Sequence, residues 1–326
     1  MAVVLNWNNF TDTIRCIDSI LCQEEKKLGI CIVDNGSSDG SPKKLLNALV
    51  ELCGSQRTYP SKHPSNFDGY TSNGIRIRLV CLQKNLGFGA GVNYGINNCS
   101  DWDYQYYLLL NNDATLHNKM IKELIKAHKF NDMIGIVGSK NVDIIDGSFI
   151  EGGIIYNSFM RRKKNNNNSS LPSEVDKVIG SSMMISKDVF NSVGGFSEQY
   201  FLYFEDDDIC LKVKKNKLKI LYVPASILYH SRSGSSNQDL RNYYICRNEC
   251  LLILKFSQKV FVIINLAIWF FGSLRTLAGL IFKHNRPRAA RVQWWAMIDA
   301  LSGRYGEQRS KALLFRAQIT NLELVD

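Results

Sequence analysis

The 326-residue chain lacks several patterns that would assign it quickly, and each gap excludes something. Its glycine-bearing loop "VDNGSSDGS" has neither G-x-G-x-x-G nor G-x-x-x-x-G-K-[ST] spacing, which argues against a nicotinamide dehydrogenase and a P-loop ATPase. Nine cysteines are scattered without paired metal-ligand spacing, Cys246 and Cys250 being the closest approach. Neither zinc nor a disulfide framework is expected, and a reducing compartment is. Cys16, Cys22, Cys31 and Cys81 fall in apolar segments, where free cysteine acts as a small hydrophobe. Met1 runs straight into "AVVLNWN" with no charged and apolar leader, so no secretory signal is expected. No internal repeat is visible. Long apolar runs are scarce as well: "VFVIINLAIWFFGSL", Val260 to Leu274, falls short of the roughly 20 residues of a spanning helix, and Arg275 interrupts before "TLAGLIF".

What is present is unevenly distributed. The formal net charge is +10, yet the first 210 residues hold 21 basic and 24 acidic side chains, against 19 and 6 from Leu211 onward. The first two-thirds therefore resembles an ordinary soluble domain, and the last third is drawn to an anionic surface.

Along the chain, "AVVLNW" predicts a strand and "FTDTIRCIDSILCQ" a helix with Thr11 or Asp12 as its cap. "LGICIVD" predicts a second strand, and "PKKLLNALVELC" a helix with Pro42 in its first turn. The stretch from Gly54 to Gly74 is expected to be one polar surface loop. "IRIRLVCLQ", the glycine-led helix "GFGAGVNYGINNC" and the strand "YQYYLLLNND" complete an alternation of strands and helices. That alternation argues for a mostly parallel α/β sheet covered by helices. Downstream come a helix ("NKMIKELIKAHKF"), a strand ("IGIVGSKNV"), a hairpin at "GSFIEGGIIY" and a solvated loop at "RRKKNNNNSS". A strand and short helix ("VIGSSMMISKDVFNSVGGF"), an acidic-led helix ("EDDDICLKVKKNKL") and the strand "KILYVP" follow. From Arg241 the pattern is helical. The organisation expected is a catalytic domain over 1–240, in halves 1–115 and 116–240, and a helical, basic and apolar region over 241–326.

In open α/β sheets the ligand sits beyond the carboxyl ends of the strands. Four such ends carry polar loops: Asn6-Trp7-Asn8, Asp34-Asn35-Gly36, Asn85-Leu86-Gly87 and Asn111-Asn112-Asp113. Each alone is more economically a turn, given what Asn, Asp and Gly do to the backbone; four together favour a nucleotide crevice. The second concentration is "YFLYFEDDDICLKVKK". Acids favour helix N-termini, but Glu205, Asp206, Asp207 and Asp208 in a row repel one another and point to a cation or a carboxylate poised as a base. His230, after "KILYVP", is open to a ligand role or a structural one.

These segments, with "NLGFGAGVNYGI", "LLLNNDATL" and "RNYYICRN" in order, resemble the inverting glycosyltransferases of family 2, with a GT-A type fold. The rhamnosyltransferase-like branch, which builds cell-surface polysaccharides, is the most similar. The resemblance spans Val3 to Arg247. It implies that Trp7 stands beside the base of a nucleotide and Asp34 recognises it, with Asn85 and Asn111 among the donor-binding loops. Asn112 would lie near the ribose, and Asp113 would hold Mg²⁺ or Mn²⁺, with His230 completing the metal sphere. Asp206, within the Glu205-Asp206 pair, would be the catalytic base. Where many relatives have Asp-x-Asp, this chain has Asn111-x-Asp113, one charge fewer.

The implied reaction moves a sugar, rhamnose by the branch, from a dTDP- or UDP-sugar to a hydroxyl of a glycan or lipid-linked acceptor. Oxygen ligands suit Mg²⁺ or Mn²⁺, and a carboxylate must take the hydroxyl proton. The stretch over 255–295 is expected to meet the cytoplasmic face of the cell membrane. Packing on the catalytic domain or on a second subunit, as in a homodimer, is the alternative. No nucleic-acid partner is expected. Two other functions stay open: a sugar nucleotidyltransferase, opposed by the absence of Lys or Arg from "NWNNFTD", and a degenerate membrane-associated scaffold, supported by the Asn-for-Asp change.

Overall fold

The computed structural model describes residues 1–54, 66–164, 170–230 and 237–307. Strand β1 (Ala2–Asn6), helix α1 (Phe10–Leu21), strand β2 (Gly29–Asp34) and helix α2 (Ser41–Cys53) open the chain. Asn9, rather than Thr11 or Asp12, caps α1, its side-chain oxygen accepting from the Asp12 amide at 3.4 Å. The stretch expected to be a loop contains β3 (Phe67–Tyr70), antiparallel to β4 (Arg76–Cys81). There Phe67 is buried and Asp68 receives both Arg76 and Arg78. Residues 55–65 of that stretch lie outside the described residues. Helix α3 (Phe88–Asn98) and strand β5 (Tyr106–Asn111) follow.

The second half runs through β6 (Ala114–Leu116), α4 (Met120–His128), β7 (Ile134–Asp143), β8 (Phe149–Glu151), β9 (Ile154–Tyr156) and β10 (Arg162–Lys164). It continues with β11 (Ser173–Val175), β12 (Ser182–Ser186), α5 (Lys187–Ser192), α6 (Glu205–Lys215) and β13 (Lys219–His230). The expected hairpin at "GSFIEGGIIY" does not form, because β8 pairs with β7 and β9 with β10. The start of the expected solvated loop is thus a strand, Arg162–Lys164, while 165–169 lie outside the described residues.

The large sheet has the order β11, β13, β7, β12, β5, β1, β2, β4, β3, with β6 beside β13 and β8 beside β7. Strands β5, β1, β2 and β4 are parallel, and β12 runs antiparallel between β5 and β7. Alternation along the strands feeds two cores: Ala2 and Val4 face α1, α2 and α4, whereas Val3, Cys31 and Val33 face α3, α5 and α6. All nine cysteines are free thiols, and Cys22 is exposed rather than in the core.

The C-terminal helices are α7 (Gln238–Phe256), α8 (Val262–Ala278) and α9 (Pro287–Leu301), with one π-helical turn, Gly279–Lys283, between the last two. That turn extends the apolar element beyond the sequence expectation. Val262–Lys283 forms 22 continuous helical residues, long and apolar enough to cross a membrane. Yet α8 buries Asn265, Trp269 and Ser273 and exposes Ile263, Ile264 and Phe271. Its polar face is turned inward.

Candidate active site

The carboxyl ends of β1, β2 and β5 form one edge, and asparagine amides stitch the loops there together. Asn6 donates to Asp34 Oδ2 at 2.6 Å, and its own oxygen accepts from Thr13 Oγ1 at 2.7 Å. The other Asp34 oxygen accepts from the Ser37 amide at 2.9 Å, so this fully buried carboxylate is engaged at both oxygens. Asn85 Oδ1 accepts from Asn35 Nδ2 at 3.0 Å and from the Gly87 amide at 2.8 Å. Asn112 donates to Thr13 Oγ1 at 3.0 Å. Trp7 stands 41% exposed beside these loops.

Asp113 and His230 meet through strand register. Antiparallel pairing of β13 with β6 sets His230 opposite Ala114, which brings Nε2 to 3.1 Å from Asp113 Oδ1. The expected strand "KILYVP" runs on to His230 itself. An Mg²⁺-like octahedron with ligands at about 2.1 Å has adjacent ligands about 3.0 Å apart. The Asp113–His230 spacing fits one such edge. No group of three or more His, Cys, Asp or Glu able to hold a metal occurs among the described residues.

A cleft of about 580 Å³ opens beside this pair and includes Asn111, Lys177, Gly180, Glu205, Asp206 and His230 in its walls. The acidic run that leads α6 is divided by its surroundings. Asp208 is neutralised by Lys212 at 3.0 Å and by Lys255. Asp207, also buried, is held by Lys177 at 2.7 Å, Arg162 at 3.0 Å and the Tyr156 hydroxyl. Burial opposes its charge, but Lys177 and Arg162 outweigh that and keep Asp207 below the usual carboxylate range. These two aspartates are spent on ion pairs rather than on a metal.

Glu205 and Asp206 remain. Asp206 Oδ2 accepts from the Gly180 amide at 3.1 Å and pairs with Lys177 at 2.9 Å, with its side chain 14% exposed. Burial raises its pKa, Lys177 lowers it and Asp207 raises it again, leaving a carboxylate more basic than ordinary aspartate. Burial and the neighbouring Asp206 push Glu205 up to about 8, so it is largely neutral at pH 7. Two adjacent carboxyls whose environments set them apart can serve as one base and one hydrogen-bond donor.

Sequence reading missed how this pair is aimed. The residues before it have left-handed backbone: Phe201 (φ 57°), Tyr203 (φ 64°) and Phe204 (φ 73°). Such angles are costly for bulky side chains and persist only where the surroundings impose them. Asn248 of α7 donates to the carbonyls of Tyr200, Leu202 and Tyr203 at 3.0, 2.9 and 2.8 Å. Arg247 donates to Tyr200 O at 3.2 Å, and both side chains are fully buried. Phe201 stacks on Tyr244, ring centroids 5.3 Å apart. Across the loop, Gly87 (φ 87°) leaves room for Phe201 O, which a Cβ there would approach to 2.2 Å. The pair Arg247-Asn248 ends the "RNYYICRN" segment, and its partners lie some 45 residues away. Lys177 stands in the unremarkable "EVDKVIG" and gave no signal.

A protein-family model described as glycosyl transferase family 2 matches residues 2–194, and one described as N-terminal domain of galactosyltransferase matches 161–233. The chain is 23% identical over 247 residues to dTDP-rhamnosyl transferase RfbF of Shigella flexneri, covering 73% of this chain and 82% of that one. It is 25% identical over 251 residues to N-acetylglucosaminyl-diphospho-decaprenol L-rhamnosyltransferase of Mycobacterium tuberculosis, covering 69% and 73%. Among solved structures, GalNAc-T7 with UDP, GalNAc and Mn²⁺ aligns with a TM-score of 0.56 at 14% identity, over 79% of this chain and 51% of that one. The chain thus spans about half the length of GalNAc-T7. The mannosyltransferase PcManGT from Pyrobaculum calidifontis, with GDP-Man and Mn²⁺, gives 0.52 at 13% identity, over 98% and 79%. These structural likenesses show a GT-A-like fold. The family model covers more than half of the sequence, and the chain belongs to glycosyl transferase family 2, on the side of its rhamnosyltransferase-like branch.

Proposed function

We propose that the chain transfers a sugar, with inversion, from a nucleoside-diphosphate sugar to a hydroxyl of a membrane-associated acceptor. The observation that carries this is the single cleft holding a basic carboxylate, Asp206, with His230 of the Asp113–His230 pair in its wall. The acceptor oxygen attacks the anomeric carbon, its proton passes to Asp206, and the bond from that carbon to the diphosphate oxygen breaks in line. Lys177 keeps Asp206 ionised, and neutral Glu205 can donate to a sugar hydroxyl. Trp7 offers a face to the base, and the fully engaged Asp34 fixes the loop beneath it.

Asp113 and His230 would hold Mg²⁺ or Mn²⁺, which when bound offsets the charge of the departing diphosphate. Two protein ligands suit an ion that takes its remaining ligands from phosphates and water, and the similarity to a dTDP-rhamnosyl transferase makes dTDP-rhamnose the leading donor. Calorimetry with dTDP and UDP, with and without Mn²⁺, tests this. One nucleotide should bind at least tenfold more tightly with Mn²⁺ in the wild type and lose that gain in Asp113→Ala. A metal effect of equal size in the variant would reject the pair.

The outward face of α8 supports attachment to the cytoplasmic membrane surface. Ile263 (77% exposed), Phe271 (67%) and Phe282 (86%) project from one element, flanked by Lys259, Arg275, Lys283 and Arg286. With Asn265, Trp269 and Ser273 facing the protein, the helix suits an in-plane position better than a crossing. Truncation near Arg241 would remove the Arg247–Asn248 clamp, so substitution is the cleaner test. Ile263→Glu with Phe271→Glu should cut co-sedimentation with phosphatidylglycerol vesicles tenfold or more. Equal sedimentation, or none by the wild type, would remove the membrane.

A further inference from the structure

We propose that the cavity enclosed by α7, α8, α9 and the Phe159–Arg161 turn seats a sugar unit of the acceptor. This deepens the transferase reading above and rests on it. The cavity holds about 390 Å³, within the roughly 300–1,000 Å³ usual for small-molecule pockets. Its walls combine the Glu249 carboxylate, the amides of Asn265 and Gln293, and the rings of Trp269 and Phe159. Asn265 is 2% exposed, and its Oδ1 is buried with no hydrogen-bond partner among the described residues. An unpaired buried oxygen is costly to leave unsatisfied, typically about 1–3 kcal/mol.

The chemistry of that lining selects its occupant. A carboxylate and amide oxygens accept hydrogen bonds, so the ligand must present donors. Aromatic faces want a compact apolar surface. A pyranose offers both, hydroxyls around its edge and C–H bonds on its face. Burial raises the pKa of Glu249, with Arg162 and Arg161 pulling it down. Glu249 and Arg161 both stand in the wall, so the lining is balanced in charge and suits a neutral glycan.

Position links the cavity to catalysis. Ile245 lines both the cavity and the catalytic cleft, so the two are neighbours across that side chain. The same arrangement accounts for the inverted amphipathicity of α8. Its apolar side would meet lipid, and its inner side, bearing Asn265, Trp269 and Ser273, would meet the glycan that the lipid carries.

Saturation-transfer NMR on the full-length protein with methyl glycosides of glucose, galactose, N-acetylglucosamine and rhamnose tests the assignment. Two variants serve. Glu249→Ala removes the main acceptor. Gly272→Phe narrows the cavity wall at a position where an added Cβ meets no atom within 4 Å, so the fold should tolerate it. At least one glycoside should show contacts in the wild type, reduced fivefold or more in both variants. Absent contacts in the wild type, or unchanged contacts in both variants, would overturn the proposal. Nucleotide binding on the same samples reports separately on the transferase reading: intact nucleotide binding with no glycoside contacts rejects the cavity alone.

Discussion

Asp206→Asn should lower sugar transfer by about 10²–10⁴-fold, the usual worth of general-base assistance, while leaving nucleotide affinity within twofold. The substitution keeps the side chain's shape and an oxygen able to accept from the Gly180 amide, and it removes the charge that pairs with Lys177 and takes the proton. The wild type should also lose activity as pH falls through a midpoint above the ordinary aspartate value of about 3.9, because burial raises Asp206. Lys177→Met would move that acid limb to higher pH, since Lys177 is the cation that pulls Asp206 down. Near-normal turnover in Asp206→Asn, measured as product formed per enzyme, would remove it as the base.

The second large effect is expected far from the chemistry. Asn248→Ala takes the Asn248 donor from the carbonyls of Leu202 and Tyr203, while Tyr200 O keeps Arg247 and the Leu202 amide. Each buried group left unpaired costs about 1–3 kcal/mol, so the melting temperature should fall by several degrees. The backbone from Phe201 to Phe204 would then relax out of its left-handed angles and swing Asp206 away from the cleft. The fall in kcat should therefore exceed the fraction unfolded at the assay temperature, with nucleotide affinity retained. A lower melting temperature with unchanged kcat would mean that the loop holds its own conformation and Asn248 only stabilises the fold.

Much of the N-terminal half was legible because parallel strands buried on both faces announce themselves as apolar runs ending in turn residues. That pattern located β1, β2, β4 and β5 and the polar loops at their ends. It could not say what those loops' amides do. Asn6, Asn35, Asn85 and Asn112 bond to neighbouring loops, and hydrogen-bond partners across a fold leave no trace in local sequence. The same limit hid Lys177, whose partner Asp207 is 30 residues away. The acidic run was noticed for its repulsion, but only three dimensions show two of its members neutralised by lysine and arginine. Helix α8 is expected from sequence to be an apolar run, broken at Arg275, that meets a membrane surface. The four-residue spacing of Asn265, Trp269 and Ser273 was visible there, and an average over the window conceals it.

The central claim is that one cleft performs metal-assisted sugar transfer with Asp206 as base. A panel of dTDP-, UDP- and GDP-sugars, followed by nucleotide release with Mn²⁺ and a membrane-extract acceptor, tests it most directly. The expected result is acceptor-dependent release from at least one donor by the wild type, dTDP-rhamnose first, reduced at least a hundredfold in Asp206→Asn. No release from any donor, or equal release by the variant, would contradict it.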